Sequence, residues 1–195
     1  MRADVTIYFI RHGETDWNAQ SRYQGQADVP MNEVGRAQAR RNGEALRALL
    51  PRIAHCSYVA SPLLRARETM EIVRGTMGLE PHAYALDERL KELHYGHWQG
   101  IFAADLPGID RSGVEARARD TFRWRPQGGE SYEDLMARSV AWLADVTHDT
   151  VVAAHGGVSR VLRGYLYGLE PSAVPELTVP QDRVLVLRRD CMEWL

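Results

Sequence analysis

Short apolar runs rich in β-branched and aromatic residues recur along the chain of 195 residues, and each has the length of a buried strand. The pattern predicts strands over residues 5–10, 56–60, 83–86, 150–154, 184–187 and 192–194. The last two runs are separated by a short polar stretch, so we expect them to close the sheet as a hairpin.

Helical patterns with capping residues lie between these runs. Asn32 is expected to cap a helix that continues to about residue 50, where Pro51 stops it. Ser61 and Pro62 form the start signal of the next helix, as N-cap and first helical residue. This second helix is expected to fade near Gly75.

The second half of the chain contains one irregular segment and two further helices. Residues 94–129 carry many glycines and prolines, and we interpret them as an inserted lid with one short helix. Ser131 then opens a helix that has an acidic residue at its third position and runs to about Asp145. Gly156 leads into the last predicted helix, which passes Tyr165.

The alternation of strands and helices predicts an α/β fold. We expect a three-layer α/β/α sandwich, with a mainly parallel sheet and an antiparallel edge, in one domain spanning residues 1–195. His12 and His155 each follow a predicted strand. Ligands bind at the carboxyl ends of strands in such sheets, so both histidines stand where a ligand is expected.

Composition narrows the classes of protein to which the chain can belong. Hydrophobic residues make up 45% and the formal net charge is −2, which suits a globular domain and argues against nucleic-acid binding. No apolar stretch is long enough to span a bilayer, and Arg11 interrupts the first run too early for a signal peptide. A cytoplasmic location without a membrane partner is therefore expected, and Cys56 and Cys191 fit a reducing compartment.

Arg11 and His12 carry the first candidate chemistry, at a strand end followed by a glycine. A neutral imidazole is a nucleophile near neutral pH, and a guanidinium can hold two phosphate oxygens at once. The pair therefore suits attack on a phosphoryl group. A simpler interpretation is a charged strand end that turns into solvent.

Four motifs then occur in a fixed order along nearly the whole chain. They are Arg-His-Gly-Glu-Thr at 11–15, Ser-Pro-Leu-Leu-Arg at 61–65, Leu-Lys-Glu-Leu-His-Tyr-Gly at 90–96 and His-Gly-Gly at 155–157. In this order they resemble the histidine phosphatase superfamily, which has the phosphoglycerate-mutase-like fold. Pro-Gln-Gly-Gly-Glu-Ser at 126–131 is similar to a stretch of its small phosphatases.

The resemblance implies a role for each matching residue. His12 would be the nucleophile that becomes a phosphohistidine, and Glu92 would give a proton to the leaving alcohol. The groups around the phosphate would be Arg11, Arg65, His155 and Asn18, and those on the substrate side Gln24, Gly25, Tyr95 and Gly156. The implied activity is metal-independent hydrolysis of a small phosphorylated metabolite, without a cofactor. Two guanidiniums and two imidazoles would offset the charge of a phosphomonoester dianion.

Two other functions remain open. A cofactor-dependent phosphoglycerate mutase is favoured by His94-Tyr95-Gly96, but the segment after Gly96 is shorter than in mutases and lacks their lysine and arginine doublet. An inactive member of the fold that binds a phosphorylated ligand is the second. The spacing of His94 and His97 suggests metal ligands, yet no further His or Cys completes a site. Glu130 and Ser131 are expected to form a turn and a helix cap.

Overall fold

A computed structural model describes residues 5–195 and contains one six-stranded sheet. Its strands are β1 (Ile7–Arg11), β2 (Ser57–Ala60), β3 (Ala85–Leu86), β4 (Thr150–Ala154), β5 (Val184–Leu187) and β6 (Met192–Trp194). The order is β3-β2-β4-β1-β5-β6, with the first four strands in this order parallel and β5 antiparallel to both of its neighbours, β1 and β6. This confirms the mainly parallel sheet with an antiparallel edge. Residues 1–4, which enter the signal-peptide expectation, lie outside the described residues.

Helices cover both faces of the sheet. They are α1 (Asp16–Ala19), α2 (Glu33–Arg47), α3 (Leu50–Ile53), α4 (Leu64–Met77), α5 (Leu106–Ile109), α6 (Arg111–Arg119), α7 (Tyr132–Asp145) and α8 (Gly156–Leu166). Short 3₁₀ turns lie at Glu88–Leu90, Gly96–Trp98 and Pro171–Glu176. Within residues 5–195, none of these helices has the length and apolar character needed to cross a membrane.

Alternating residues of the central strands build two separate cores, which gives the predicted three layers. Ile7 and Phe9 on β1 belong to the core beneath α7 and α8, together with Leu135. Tyr8 and Ile10 point to the opposite face and belong to the core beneath α2 and α4. Because side chains alternate along a strand, β1 is buried on both sides, as expected for a central strand.

Two predicted helix ends are wrong. Helix α2 is capped by Asn32 as predicted, with its side chain accepting from Gly35 N at 2.9 Å, but it ends at Arg47. Pro51 lies inside α3, in a first turn where a backbone N–H has no helical partner to lose. Helix α4 continues past Gly75 and ends where Gly78 adopts a left-handed conformation with φ 80°.

The predicted start of α4 at Ser61 and Pro62 is also wrong. The helix begins at Leu64, and its N-cap residue, Leu63, makes no side-chain capping bond. The carboxylate of Asp28 accepts from Leu64 N at 2.7 Å, so the cap comes from a distant part of the chain. Ser61 instead continues the line of β2, with its N–H donating to Ala153 O at 3.0 Å.

The segment 94–129 is more ordered than predicted, because it contains α5, α6 and a 3₁₀ turn instead of one short helix. Trp98 is buried against Trp124, with ring centroids 4.3 Å apart. The carboxylate of Asp110 accepts from Trp98 Nε1 at 2.9 Å and caps α6 through Gly113 N at 2.9 Å. An aromatic contact and a shared carboxylate therefore hold this segment together.

Candidate functional site

The register of the sheet brings the two predicted histidines together. Arg11 on β1 is paired with Ala154 on β4, and His12 N donates to Ala154 O at 2.9 Å. His155 follows Ala154 directly, so the two imidazoles lie side by side, with ring centroids 5.1 Å apart and planes at 58°. Because β1 and β4 are parallel and end together, both rings lie at the same edge of the sheet.

The His12 ring is oriented by its own backbone neighbourhood. Its Nδ1 lies 2.7 Å from Gly13 O, and since a carbonyl only accepts, Nδ1 carries the proton. The other nitrogen, Nε2, therefore carries the lone pair, which accepts from Arg65 Nε at 3.3 Å. Burial lowers the pKa of His12 well below its ordinary value, and the charges of Arg65 and Arg11 lower it further. The ring is neutral at neutral pH, as a nucleophile must be.

Arg65 on α4 is fully buried and points its guanidinium at His12. Nε lies 3.3 Å from His12 Nε2, while Nη1 donates to Ala27 O at 2.8 Å and Nη2 to Gly25 O at 2.6 Å. Burial lowers the pKa of Arg65 to about 10, which leaves it charged at neutral pH. All three acceptors, two carbonyls and the neutral His12 ring, are uncharged, so the charge of Arg65 is free to meet an anion beside His12.

Arg11 and Arg160 converge on the N-terminus of α8. Arg11 Nη1 donates to Val179 O at 2.7 Å, while its buried Nε has no hydrogen-bond partner within the described part of the chain. A side chain at Gly156 would lie 3.6 Å from Arg11 Nε and 3.5 Å from Arg160 Nη1. The helix N-terminus and two guanidiniums therefore face the same space, which favours an anion there.

His155 contacts Ser61, the residue predicted from the sequence to cap a helix. Its Nε2 lies 2.7 Å from Ser61 Oγ, and Leu63 N donates to the same Oγ at 3.4 Å. Among the described residues the hydroxyl has no other acceptor, so we assign its proton to the contact with Nε2 and the ring proton to Nδ1. This Nδ1 is buried without a partner among the described residues. Burial lowers the pKa of His155 well below its ordinary value, and the charge of Arg65 contributes, so the ring is neutral.

Glu92 lines the cleft from the loop after the 3₁₀ turn Glu88–Leu90. Its carboxylate accepts from Leu93 N at 2.8 Å and from Gly157 N at 3.1 and 3.2 Å. The carboxyl group is therefore held at the N-terminus of α8, beside the strand end that carries His155.

The cleft has a volume of about 280 Å³ and gathers nearly all the predicted site residues. Those lining it are Arg11, His12, Asn18, Gln24, Gly25, Arg65, Glu92, Tyr95 and Gly156. His155 is absent from this lining and lies next to the His12 ring. Asn18 Oδ1 accepts from Thr15 N at 3.2 Å, and Gln24 Oε1 accepts from Thr15 Oγ1 at 2.5 Å.

Several contributors to the site were missed from the sequence. Arg22, Tyr23 and Arg160 line the cleft, and Gln181 donates to His12 O at 3.1 Å and to Asn18 Oδ1 at 3.2 Å. Arg160 could have been found, because it lies one helical turn after Gly156 and so shares its face. Gln181 lies in a loop without a recognisable motif.

The two histidines whose spacing suggests metal ligands, His94 and His97, hydrogen-bond to protein groups instead. His94 Nδ1 accepts from Gly96 N at 2.9 Å, while His97 Nε2 lies 3.0 Å from Asp110. Among residues 5–195, no group of three or more His, Cys, Asp or Glu side chains could hold a metal ion. Ser131 forms the predicted cap with Asp134 on α7. The cleft is thus built from arginines and imidazoles, which suits an anionic group.

Comparison with known proteins agrees with this chemistry. The family model described as histidine phosphatase superfamily (branch 1) matches residues 7–194. Glucosyl-3-phosphoglycerate phosphatase of Mycobacterium tuberculosis (strain ATCC 25618 / H37Rv) is 34% identical over 184 residues, which cover 88% of this chain and 79% of that protein. A 2,3-bisphosphoglycerate-dependent phosphoglycerate mutase 2 of Gloeobacter violaceus is 29% identical over 180 residues, covering 89% and 80%.

Solved structures show the same fold. The mycobacterial glucosyl-3-phosphoglycerate phosphatase in complex with VO3 superposes with a TM-score of 0.81 at 30% identity, covering 98% of this chain and 96% of that one. The α-ribazole phosphatase of Shigella flexneri, at 24% identity, has a TM-score of 0.80 and covers 93% and 89%. The second match supports the fold alone.

Proposed function

Since this chain belongs to the histidine phosphatase superfamily and is a phosphatase of that superfamily, we propose that it hydrolyses small phosphomonoesters through a phosphohistidine on His12, without a metal ion. One observation carries the proposal. The neutral His12 ring presents the lone pair of Nε2, and the charged Arg65 Nε lies 3.3 Å from that atom. A nucleophile and a group that binds phosphate oxygens thus meet at one point.

The first step transfers the phosphoryl group to the protein. Nε2 of His12 attacks phosphorus, and the bond between phosphorus and the ester oxygen breaks. A proton passes from the Glu92 carboxyl group to the departing oxygen. The alcohol leaves, and His12 carries the phosphoryl group.

The second step regenerates the free protein. Water attacks phosphorus, and the Glu92 carboxylate takes a proton from it. The bond between phosphorus and Nε2 breaks, so inorganic phosphate leaves and His12 is again neutral. In both steps Arg11, Arg65 and the Nδ1–H of His155 would offset the charge on the non-bridging phosphate oxygens.

The cleft contains more positive charge than a phosphate dianion needs. Four lining arginines, Arg11, Arg22, Arg65 and Arg160, face one carboxylate, Glu92. We therefore propose a substrate whose alcohol part carries an anionic group of its own. Glucosyl-3-phosphoglycerate, the substrate in the name of the mycobacterial relatives, contains such a carboxylate.

The decisive experiment is to trap the phosphorylated protein. Acid-labile, base-stable phosphate on the quenched wild-type protein, located on His12 by mass spectrometry, is expected during turnover of 4-nitrophenyl phosphate. His12→Ala should abolish both the label and the turnover, whereas the exposed His82→Ala should change neither. Turnover should also survive a chelator. Near-normal activity of His12→Ala would overturn the proposal.

A mutase is the second candidate, because relatives named as mutases match at 29% identity and His94-Tyr95-Gly96 is present. A mutase must retain the phosphoglycerate and return the phosphoryl group to it. Interconversion of phosphoglycerates that depends on bisphosphoglycerate and exceeds phosphate release would favour this function. Tight binding of phosphate esters without turnover or protein phosphorylation would instead indicate an inactive binding protein.

A further inference from the structure

We propose that Arg138, paired with Glu130, is the positioning residue for the proton donor Glu92. Neither residue lines the cleft. The inference rests on the proposed function, because it assigns Glu92 the task of protonating the departing alcohol. Its basis is a set of hydrogen bonds that hold the backbone on both sides of Glu92.

All five guanidinium N–H groups of Arg138, on α7, have partners in the Glu92 loop or on Glu130. Nη1 donates to Arg89 O at 2.7 Å and to Lys91 O at 2.5 Å, and Nη2 donates to Glu92 O at 2.9 Å. Nε and Nη2 donate to the two carboxylate oxygens of Glu130 at 3.0 and 2.9 Å. A guanidinium has five donors in a rigid plane, so the whole side chain is committed to this loop.

Glu130 holds the other side of the loop. Its carboxylate accepts from His94 N at 3.0 Å, and its own N–H donates to His94 O at 2.8 Å. Gln26 Nε2 donates to Glu92 O at 2.9 Å and reaches Glu130 Oε2 at 3.4 Å. The backbone is therefore bound just before and just after Glu92.

The location of this ion pair makes it effective. The Arg138 and Glu130 side chains are 19% and 26% exposed, so water competes weakly for their hydrogen bonds. Without this pair, the Glu92 carboxylate would still accept from Leu93 N and Gly157 N. The backbone of its loop would lose the bonds that Arg138 and Glu130 make to it. A proton donor must lie within about 0.5 Å of its productive position, and a displacement of about 1 Å can cost about a hundredfold in rate.

Dependence on the leaving group separates this role from general support of the fold. The alcohol of 3-phosphoglycerate must be protonated to depart, whereas 4-nitrophenolate leaves without a proton. The parameter kcat/KM reports the step in which the ester bond breaks. Loss of a well-placed donor should therefore lower kcat/KM for 3-phosphoglycerate far more than for 4-nitrophenyl phosphate.

The experiment measures both substrates for four variants. Arg138→Met should lower kcat/KM for 3-phosphoglycerate about tenfold to a hundredfold, with a change of less than about threefold for 4-nitrophenyl phosphate. Glu92→Gln should show the same selectivity more strongly. The double variant should be no slower than Glu92→Gln alone, since Arg138 acts through Glu92. The control is Arg125→Met, which should change neither kcat/KM value. It removes an exposed arginine that pairs with Asp134, a residue on the same helix as Arg138.

Glu130→Gln keeps the shape of the pair and replaces Arg138→Met if the latter does not fold. Equal losses on both substrates, or effects that add to those of Glu92→Gln, would overturn the inference. If the wild type turns over neither ester and forms no phosphohistidine, the proposed function itself has failed.

Discussion

Ser61 Oγ lies 2.7 Å from Nε2 of His155, and neither residue has exposed surface. The hydroxyl proton serves Nε2, so the neutral ring carries its own proton on Nδ1. A histidine in this tautomer can donate to a phosphate oxygen, while the opposite tautomer could only accept. A serine directly after β2 thus sets which ring nitrogen of the histidine after β4 can donate.

Replacing Ser61 tests this relationship. Ser61→Ala leaves a buried Nε2 without its donor, which costs about 1–3 kcal/mol, so kcat/KM for 4-nitrophenyl phosphate should fall about tenfold to a hundredfold. The ¹⁵N resonances of the His155 ring should shift with the change of tautomer. Ser139→Ala is the control, because Ser139 is also buried and its Oγ has no hydrogen-bond partner among the residues that the structure describes. A wild-type rate with unchanged resonances would refute the assignment.

The two buried histidines should make the fold sensitive to acid. Burial, aided by Arg65, lowers the pKa of His12 and of His155 well below 6.5, whereas both titrate near 6.5 in the unfolded chain. Below that pH the unfolded chain binds protons that the folded chain does not, so the free energy of unfolding falls as the pH falls. We expect a loss of up to about 1.4 kcal/mol for each histidine between pH 7.5 and pH 5.5.

Urea unfolding at the two pH values measures this loss. Replacing both buried histidines by Asn should remove most of it, whereas replacing the exposed His82 and His148 by Asn should not. A pH dependence that is unchanged in the buried double variant would show that other groups cause it.

Arg65→Lys should be strongly impaired although the charge is kept. A lysine cannot reproduce the planar set of bonds to Gly25 O, Ala27 O and His12 Nε2. We expect kcat/KM to fall about a hundredfold, the usual effect of removing a donor that stabilises a transition state. Arg67→Lys, on the same helix but outside the cleft lining, should retain activity. Equal effects of the two changes would argue against a direct role of Arg65.

Arg160→Met should change the choice of substrate. We expect the ratio of kcat/KM for 3-phosphoglycerate over glycerol 3-phosphate to fall about tenfold, because only the first ester offers a carboxylate to the guanidinium. Arg163→Met is a close control: both arginines lie on α8 and donate to neighbouring carbonyls, at Leu177 O and Thr178 O, both at 2.8 Å. An unchanged ratio would remove Arg160 from substrate selection.

The elements predicted most accurately are those whose signals are local. The predicted bounds of β4 agree with the structure, and α7 begins at the capping box of Ser131 and Asp134. Both signals come from residues close together in the chain: an apolar β-branched run for β4, and a serine followed three residues later by an aspartate for α7. The start of α4 was mispredicted because Asp28, 36 residues away, caps Leu64 and leaves Ser61 free for another partner.

The residues of the candidate site show the same difference between local signals and distant contacts. The motifs identified His12, Arg65 and Glu92, since these residue types at strand and helix ends suit phosphoryl chemistry. Arg138 and Gln181 were not identified, because a long side chain that donates to distant carbonyls leaves no pattern in the sequence.

The sequence by itself determined the family, the order of strands and helices and the residue types of the site, since these depend on periodicity and on short motifs. The tertiary structure decided which nitrogen of each histidine carries the proton and which side chains hold the proton donor in place. Those properties depend on single hydrogen bonds between residues as far apart as Ser61 and His155, whose contact exists only once β2 and β4 have paired.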